Sequence, residues 1–105
     1  MFTIVETPAF GRLCGDYWTE DERGAFAAWI AANPEAGDVI PGSVGCRKVR
    51  WFRAGSGKRG GVRVIHYNQL AGGHIYLLLV YAKSAQDNVS ANVLLKIKEA
   101  LRAHD

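Results

Sequence analysis

The chain has 105 residues, of which 49% are apolar and 22% are charged, and its formal net charge is +3. This length predicts a single domain over residues 1–105, and the apolar fraction is sufficient to bury a core, which argues against a disordered chain. The longest apolar run, residues 75–82, is far shorter than the roughly 20 residues of a membrane-spanning helix. The first ten residues lack the basic and extended apolar segments of a signal peptide, so we expect a cytoplasmic protein with no membrane partner.

The predicted elements begin with a short strand over residues 2–5. Apolar residues at i, i+3 and i+4 then predict a first helix, which ends at a break near Gly15. Thr19 and Glu22 form a capping box that opens a second helix, and this helix ends before Pro34. We therefore expect two helices packed as a hairpin close to the N-terminus.

A connector rich in glycine and proline, residues 34–46, separates the helices from a series of strands. Alternating or continuous apolar residues predict three strands and then a last helix, which cover residues 47–53, 62–67, 74–82 and 90–102. The order is therefore β-α-α-β-β-β-α. The short links between the strands predict an α+β fold in which an antiparallel sheet of about four strands carries the helices.

The charges are unevenly divided along the chain. Residues 1–38 carry seven acids and two bases, whereas residues 39–86 carry eight bases and no acid at all. A solvated basic face is the simpler interpretation, but ordinary surfaces intersperse both signs. Such a concentration of positive charge attracts polyanions and favours a nucleic-acid partner. The two cysteines, Cys14 and Cys46, are expected to be reduced and partly buried thiols.

Basic and aromatic residues alternate in the first of the three strands. Cations bind phosphates and aromatic rings stack on unpaired bases, which together favour single-stranded RNA. An aromatic residue on a strand is more often part of the core, and for Trp51 this alternative stays open. The residues predicted to bind RNA here and in the following segments are Arg47, Lys48, Arg50, Arg59 and Tyr67.

Three cations are candidates for catalysis. Lys58 lies in a glycine-rich loop that lacks the Walker A pattern, so a nucleotide triphosphatase is disfavoured. Arg63 and Lys83 each adjoin an apolar strand, and antiparallel pairing would bring them together near Lys58. Because residues 39–86 contain no carboxylate that could bind Mg²⁺, the cluster suits metal-free stabilisation of a charged phosphorane, with no cofactor. His66 is the competing general base, but strand alternation points it away from Arg63.

Three stretches, residues 33–51, 55–67 and 76–83, together resemble the RelE/ParE superfamily of type II toxins, and the RelE/HigB branch most of all. They carry the motifs NPxxGxxIPG, RKxRW, GKRGGxR and YAK in that order. Val44 stands where the family usually has glycine, Cys46 where it has leucine, and His66 where it often has tyrosine. The likeness extends over almost the whole chain.

The resemblance implies a toxin that enters the ribosomal A site and cleaves mRNA, and that a cognate antitoxin, of a helix-turn-helix, HigA-like kind, neutralises. In the reaction we expect, the RNA 2′-OH attacks the adjacent phosphate, giving a 2′,3′-cyclic phosphate and a 5′-OH. Lys58 would take the 2′ proton, Arg63 would stabilise the phosphorane, and Lys83 would neutralise the leaving 5′-oxygen. The alternatives are a ParE-like inhibitor of DNA gyrase and a simple RNA-binding module, since one fold can host either.

Overall fold

The structure is a computed structural model that describes residues 2–51, 61–82 and 89–103. Its elements are five strands and three helices: β1 (Thr3–Glu6), α1 (Pro8–Cys14), α2 (Glu20–Ala32), β2 (Asp38–Val39), β3 (Cys46–Trp51), β4 (Val62–Gln69), β5 (His74–Ala82) and α3 (Ala91–Ala103). A 3₁₀ turn, Leu70–Gly72, joins β4 to β5. The fold is α+β, as the sequence predicts.

Side chains cap the first two helices. The Thr7 hydroxyl accepts a hydrogen bond from the Phe10 amide at the start of α1. At α2, Thr19 and Glu22 form both bonds of the predicted capping box, each side chain accepting from the other residue's amide, at 3.2 and 2.9 Å. The carboxylates of the first turn of α2 also lie at the positive end of the helix dipole. The sequence prediction for the start of α2 is confirmed.

The strand order in the sheet is β1-β5-β4-β3-β2. The antiparallel arrangement predicted for β3, β4 and β5 is confirmed, but two parts of the prediction are wrong. Five strands form the sheet instead of about four, because residues 38–39 of the connector pair with β3. The sheet is also mixed, because β1 runs parallel to β5. Short links impose antiparallel pairing, whereas two helices follow β1 and leave its direction free.

The sheet buries both of its faces. On one face, here called the helix-pair face, side chains of α1 and α2 such as Phe10 and Phe26 pack against Val49 and Val64 of the sheet. On the other, the α3 face, Leu94 of α3 belongs to a second cluster. The members of this second cluster that come from the sheet include Cys46, Ile65, Tyr67, Tyr76, Leu78, Leu79 and Tyr81. The three-layer arrangement decides which functional side chains share a surface.

An ion pair fixes α2 to the first strand. The Arg23 guanidinium donates from Nε to Glu6 at 2.8 Å and from a second nitrogen to the other oxygen of the same carboxylate. Both side chains are about one-quarter to one-third exposed. The bidentate contact joins the acidic part of the chain to the edge strand β1. None of the helices in the described ranges has the length and apolarity to cross a membrane.

Candidate functional site

Two arginines face each other directly across β3 and β4. Arg50 pairs with Arg63 in the antiparallel register, and Arg63 pairs in turn with Tyr81 of β5. The alternation that places Ile65 and Tyr81 on the α3 face places Arg63 and Arg50 there too. We call Arg50, Arg63 and Tyr81 the cationic row. It crosses three adjacent strands at the end of the sheet where β5 ends.

The cationic row has no acidic counterpart in the described parts of the chain. There, neither Arg50 nor Arg63 forms an ion pair, and the pairs of Arg23 with Glu6 and Glu20 lie outside the cationic row. Arg50 is exposed and Arg63 is half-buried. Like charges that are directly opposite in a sheet destabilise it, by an amount comparable to the 0.2–1 kcal/mol that favourable pairs contribute. An anion bound between the two guanidinium groups would remove this repulsion.

Other predicted cations adjoin the row or fall outside the described residues. Lys48 is opposite Ile65 and therefore lies on the α3 face, two residues along β3 from Arg50. The Arg63 guanidinium reaches back toward Gly61, where a Cβ would lie 3.7 Å from Nη1. Three further predicted residues, Lys58, Arg59 and Lys83, fall in segments that the structure does not describe. Their convergence on Arg63 stays a prediction.

Tyr81 completes the row on the side of β5. Its ring is 6% exposed, and its hydroxyl is buried without a hydrogen-bond partner among the described residues. Burial raises the pKa of Tyr81, and the positive charge of Arg63 opposes this rise. The hydroxyl therefore keeps its proton near neutral pH and can donate a hydrogen bond. Sequence reasoning missed Tyr81, because a tyrosine in an apolar strand is typical of a core residue.

Arg47, which is also predicted to bind RNA, lies on the opposite face from the cationic row. Its Nη1 donates to the main-chain oxygens of Glu35 and Gly37, both at 3.0 Å. The Ala36 oxygen is held by Nε2 of His66 at 2.9 Å, and the Asn68 amide donates to the Pro34 oxygen. Three side chains of β3 and β4 thus bind four successive carbonyls of the connector after α2. Arg47 has a structural role that the sequence did not indicate, and its contact with RNA stays a prediction.

His66 is fully buried on the helix-pair face, as strand alternation predicts. Both ring nitrogens are engaged, since Nδ1 lies 2.9 Å from the Asn68 side-chain oxygen and Nε2 contacts Ala36. Burial lowers the pKa of His66, and this outweighs its hydrogen bonds to Ala36 and Asn68, which favour the charged ring. A neutral, enclosed imidazole on the wrong face of the sheet is poorly placed to act as a general base on a substrate bound at Arg63.

Tyr67 shares the α3 face with Arg63, as predicted, but is already in contact with other side chains. It lies four residues along β4 from Arg63, which is about 13 Å at the usual rise of a strand. Its ring stacks on Tyr76 with a centroid distance of 6.4 Å, and the Lys98 ammonium lies 4.1 Å from its centroid. These contacts occupy the surface that a base would use. RNA binding by Tyr67 stays a prediction that these contacts do not favour.

Trp51 belongs to the core and lies on the helix-pair face. Its ring meets Phe26 edge-on at 5.0 Å and Trp29 at 4.8 Å between centroids. Of the two alternatives for this residue, the structure favours the core. Cys14 and Cys46 are both free, and they are fully buried where the sequence predicts partial burial. Burial raises the pKa of each thiol.

Val44 adopts a backbone conformation that is unusual for its residue type. Its φ is +56°, in the left-handed region that favours glycine, and its side chain is 71% exposed. The Lys98 ammonium, itself buried, donates to the Ser43 oxygen at 3.4 Å and also to the Val44 oxygen. Lys98 therefore holds this turn against α3. The left-handed φ of Val44 explains why glycine would suit position 44.

No protein-family model matches the chain. In the ranges 2–51, 61–82 and 89–103, no three His, Cys, Asp or Glu side chains lie close enough together to hold a metal ion. The arrangement that the sheet does assemble is a pair of arginines, with no acidic partner among the described residues, beside a buried hydroxyl. Chemically, this arrangement can bind an oxyanion and stabilise added negative charge on it.

Proposed function

We propose that this protein is a toxin of a type II toxin–antitoxin system that cleaves mRNA on the ribosome. The observation that carries the proposal is the direct pairing of Arg50 with Arg63, without a carboxylate partner in the described parts of the chain. Such a pair is unfavourable in isolation and becomes favourable when it binds a phosphate. The resemblance of the sequence motifs to RelE/HigB toxins supplies the substrate, the mRNA in the ribosomal A site.

The proposed reaction is an attack by the RNA 2′-oxygen on the adjacent phosphorus. The new O2′–P bond forms as the P–O5′ bond breaks, and the 2′ proton passes to a base. Lys58 is the candidate base, because nearby cations lower the pKa of an amine, and Lys83 is the candidate that protonates or neutralises the 5′-oxygen. Arg63 stabilises the additional charge on the phosphorane. Arg50 and Lys48 hold the flanking phosphates of the same strand, and Arg59 is a further candidate for this.

The test is an in vitro translation reaction with a defined mRNA, analysed by primer extension. The wild type should produce discrete cuts at codons in the A site. Arg63→Ala should slow cleavage by about 10²–10³, the usual cost of removing one group that stabilises an oxyanion. Arg12→Ala is the matched control, because it removes the same charge from an exposed position of α1, which packs on the opposite face of the sheet, and cleavage per folded molecule should change far less. Equal losses of cleavage in the two variants would mean that Arg63 contributes only a general electrostatic attraction to RNA.

A charge-preserving change tests the chemical role of Lys58. Lys58→Arg keeps the positive charge, but guanidinium holds its proton at a pKa above about 12 and cannot act as a base. Ribosome binding should survive while cleavage falls sharply. Cleavage by Lys58→Arg at the wild-type rate would remove Lys58 from the mechanism.

The proposal also includes a metal-independent reaction and neutralisation by a cognate antitoxin. Where the protein cuts RNA without ribosomes, cutting should continue in EDTA, and a loss that Mg²⁺ binding to the protein restores would contradict this. The ParE-like alternative has its own result: mRNA would stay intact while gyrase is trapped on cleaved DNA. Among possible antitoxins, one that covers the cationic row should associate more slowly as salt rises.

A further inference from the structure

The Tyr81 hydroxyl is a buried polar group with no partner among the described residues. The other buried hydroxyls of the described residues are hydrogen-bonded: for example, Thr7 donates to strand carbonyls of β5, and Tyr76 donates to the Gln69 side-chain oxygen at 3.2 Å. Folded proteins rarely leave a buried hydroxyl unsatisfied, because the lost hydrogen bonds to water are not replaced. The exception at Tyr81 therefore requires an explanation.

The position of Tyr81 in the ladder suggests that explanation. It is directly opposite Arg63, and directly opposite residues in an antiparallel pair have Cβ atoms about 4.5–5.5 Å apart. Arg63 is half-buried and faces Arg50 on its other side. An anion held by Arg63 would thus lie near Tyr81, whose hydroxyl feels the charge of Arg63 and has no competing partner among the described residues.

We propose that Tyr81 is a second hydrogen-bond donor to the RNA phosphate that Arg63 binds, so that Arg63 and Tyr81 form one phosphate subsite. This inference rests on the proposed function and assigns a new binding residue to it. The phenol donates one hydrogen bond to a non-bridging oxygen, while the guanidinium supplies charge and further donors. Binding RNA then satisfies a hydroxyl for which residues 2–51, 61–82 and 89–103 supply no partner.

The test is the variant Tyr81→Phe, which removes only the hydroxyl. Because this hydroxyl has no partner to lose in the described parts of the chain, the free energy of unfolding in urea should stay unchanged or rise. Binding to a short single-stranded RNA with 2′-O-methyl groups, which cannot be cleaved, should weaken about tenfold in fluorescence anisotropy, as expected for one hydrogen bond to a charged group. The slope of log affinity against log salt should stay the same, since no charge is removed, whereas Arg63→Ala should reduce that slope by about 0.7.

Tyr76→Phe is the matched control. It removes a hydroxyl from the same face of the same strand, but that hydroxyl is bonded to Gln69. This variant should lose stability while keeping its affinity for RNA. The two tyrosines therefore predict opposite patterns, which separates a binding role from a structural one.

Each outcome decides the inference. Wild-type affinity in Tyr81→Phe would overturn it, and so would a loss of affinity accompanied by an equal loss of folding stability. Absence of RNA binding by the wild type would overturn the subsite, whereas the nuclease proposal is decided separately by the translation assay. If the wild type binds RNA and Tyr81→Phe binds it tenfold less, but translated mRNA stays whole, the subsite stands and the nuclease proposal fails.

Discussion

Replacing His66 with leucine should make the protein less stable and remove part of its dependence on pH. His66 is fully buried, and its two nitrogens face the Ala36 oxygen and the Asn68 side-chain oxygen. A neutral imidazole carries one N–H, so it donates to one of these acceptors. Leucine has similar volume but no donor, and orphaning one buried acceptor costs about 1–3 kcal/mol. We expect a loss of that size near pH 7.5.

The difference between wild type and His66→Leu should shrink below pH 6.5. Because burial lowers the pKa of His66 in the folded state, the unfolded chain binds a proton first as the pH falls. The stabilisation is therefore complete above the unfolded value of about 6.5 and is lost at lower pH, by at most about 1.4 kcal/mol per pH unit. The loss ends at the pH where the folded imidazole itself becomes protonated.

Urea-induced unfolding of both proteins between pH 7.5 and pH 5 measures this difference. Every other ionisable group is the same in the two proteins, so its contribution cancels in the comparison. A difference that stays constant across this range, or widens toward acid, would refute the assignment of His66 as a buried neutral residue. Cleavage per folded molecule should change little in His66→Leu, because the side chain is on the opposite face from Arg63.

Three further changes test other parts of the fold by urea unfolding. Arg47→Ala should lower the free energy of unfolding by about 1 kcal/mol or more, because two hydrogen bonds from its charged guanidinium to main-chain oxygens are lost. Glu6→Gln should lower it by up to about 1 kcal/mol, since its pair with Arg23 is partly exposed, and this effect should shrink at 1 M salt. Val44→Gly should raise it by about 0.5–1 kcal/mol, because relief of the left-handed conformation exceeds the added flexibility of the unfolded chain. The hydrogen bonds of Arg47 would be contradicted by an unchanged stability in Arg47→Ala. The ion pair of Glu6 would be contradicted by a larger effect of Glu6→Gln in salt, and the strain at Val44 by a loss of stability in Val44→Gly.

Local rules in the sequence were sufficient for much of the fold. The capping box of α2 depends on residues three apart, and the antiparallel order of β3, β4 and β5 depends on short links, so both could be predicted without knowledge of the rest of the chain. Alternation along β4 likewise separated Arg63 from His66. Each of these inferences involves neighbours along the chain or a strict period of two residues.

Pairing between distant segments was beyond such rules. The parallel pairing of β1 with β5 joins residues about 70 positions apart, and β2 contains only two residues with no pattern of their own. The role of Arg47 also depends on a distant contact, since its partners are carbonyls of the connector after α2. Its charge grouped Arg47 with the other cations in the sequence prediction, whereas the register of the sheet puts Arg47 on the opposite face.

The sequence by itself determined that residues 39–86 form a basic segment without acids and that Arg63 stands alone in an apolar strand. Only the tertiary structure decided which of these cations lie next to one another. The ladder register sets Arg50 opposite Arg63 and Arg63 opposite Tyr81, and it leaves the Tyr81 hydroxyl buried beside them. The physical reason is that charge and polarity belong to single residues, whereas a binding site depends on which strands lie side by side and in which register.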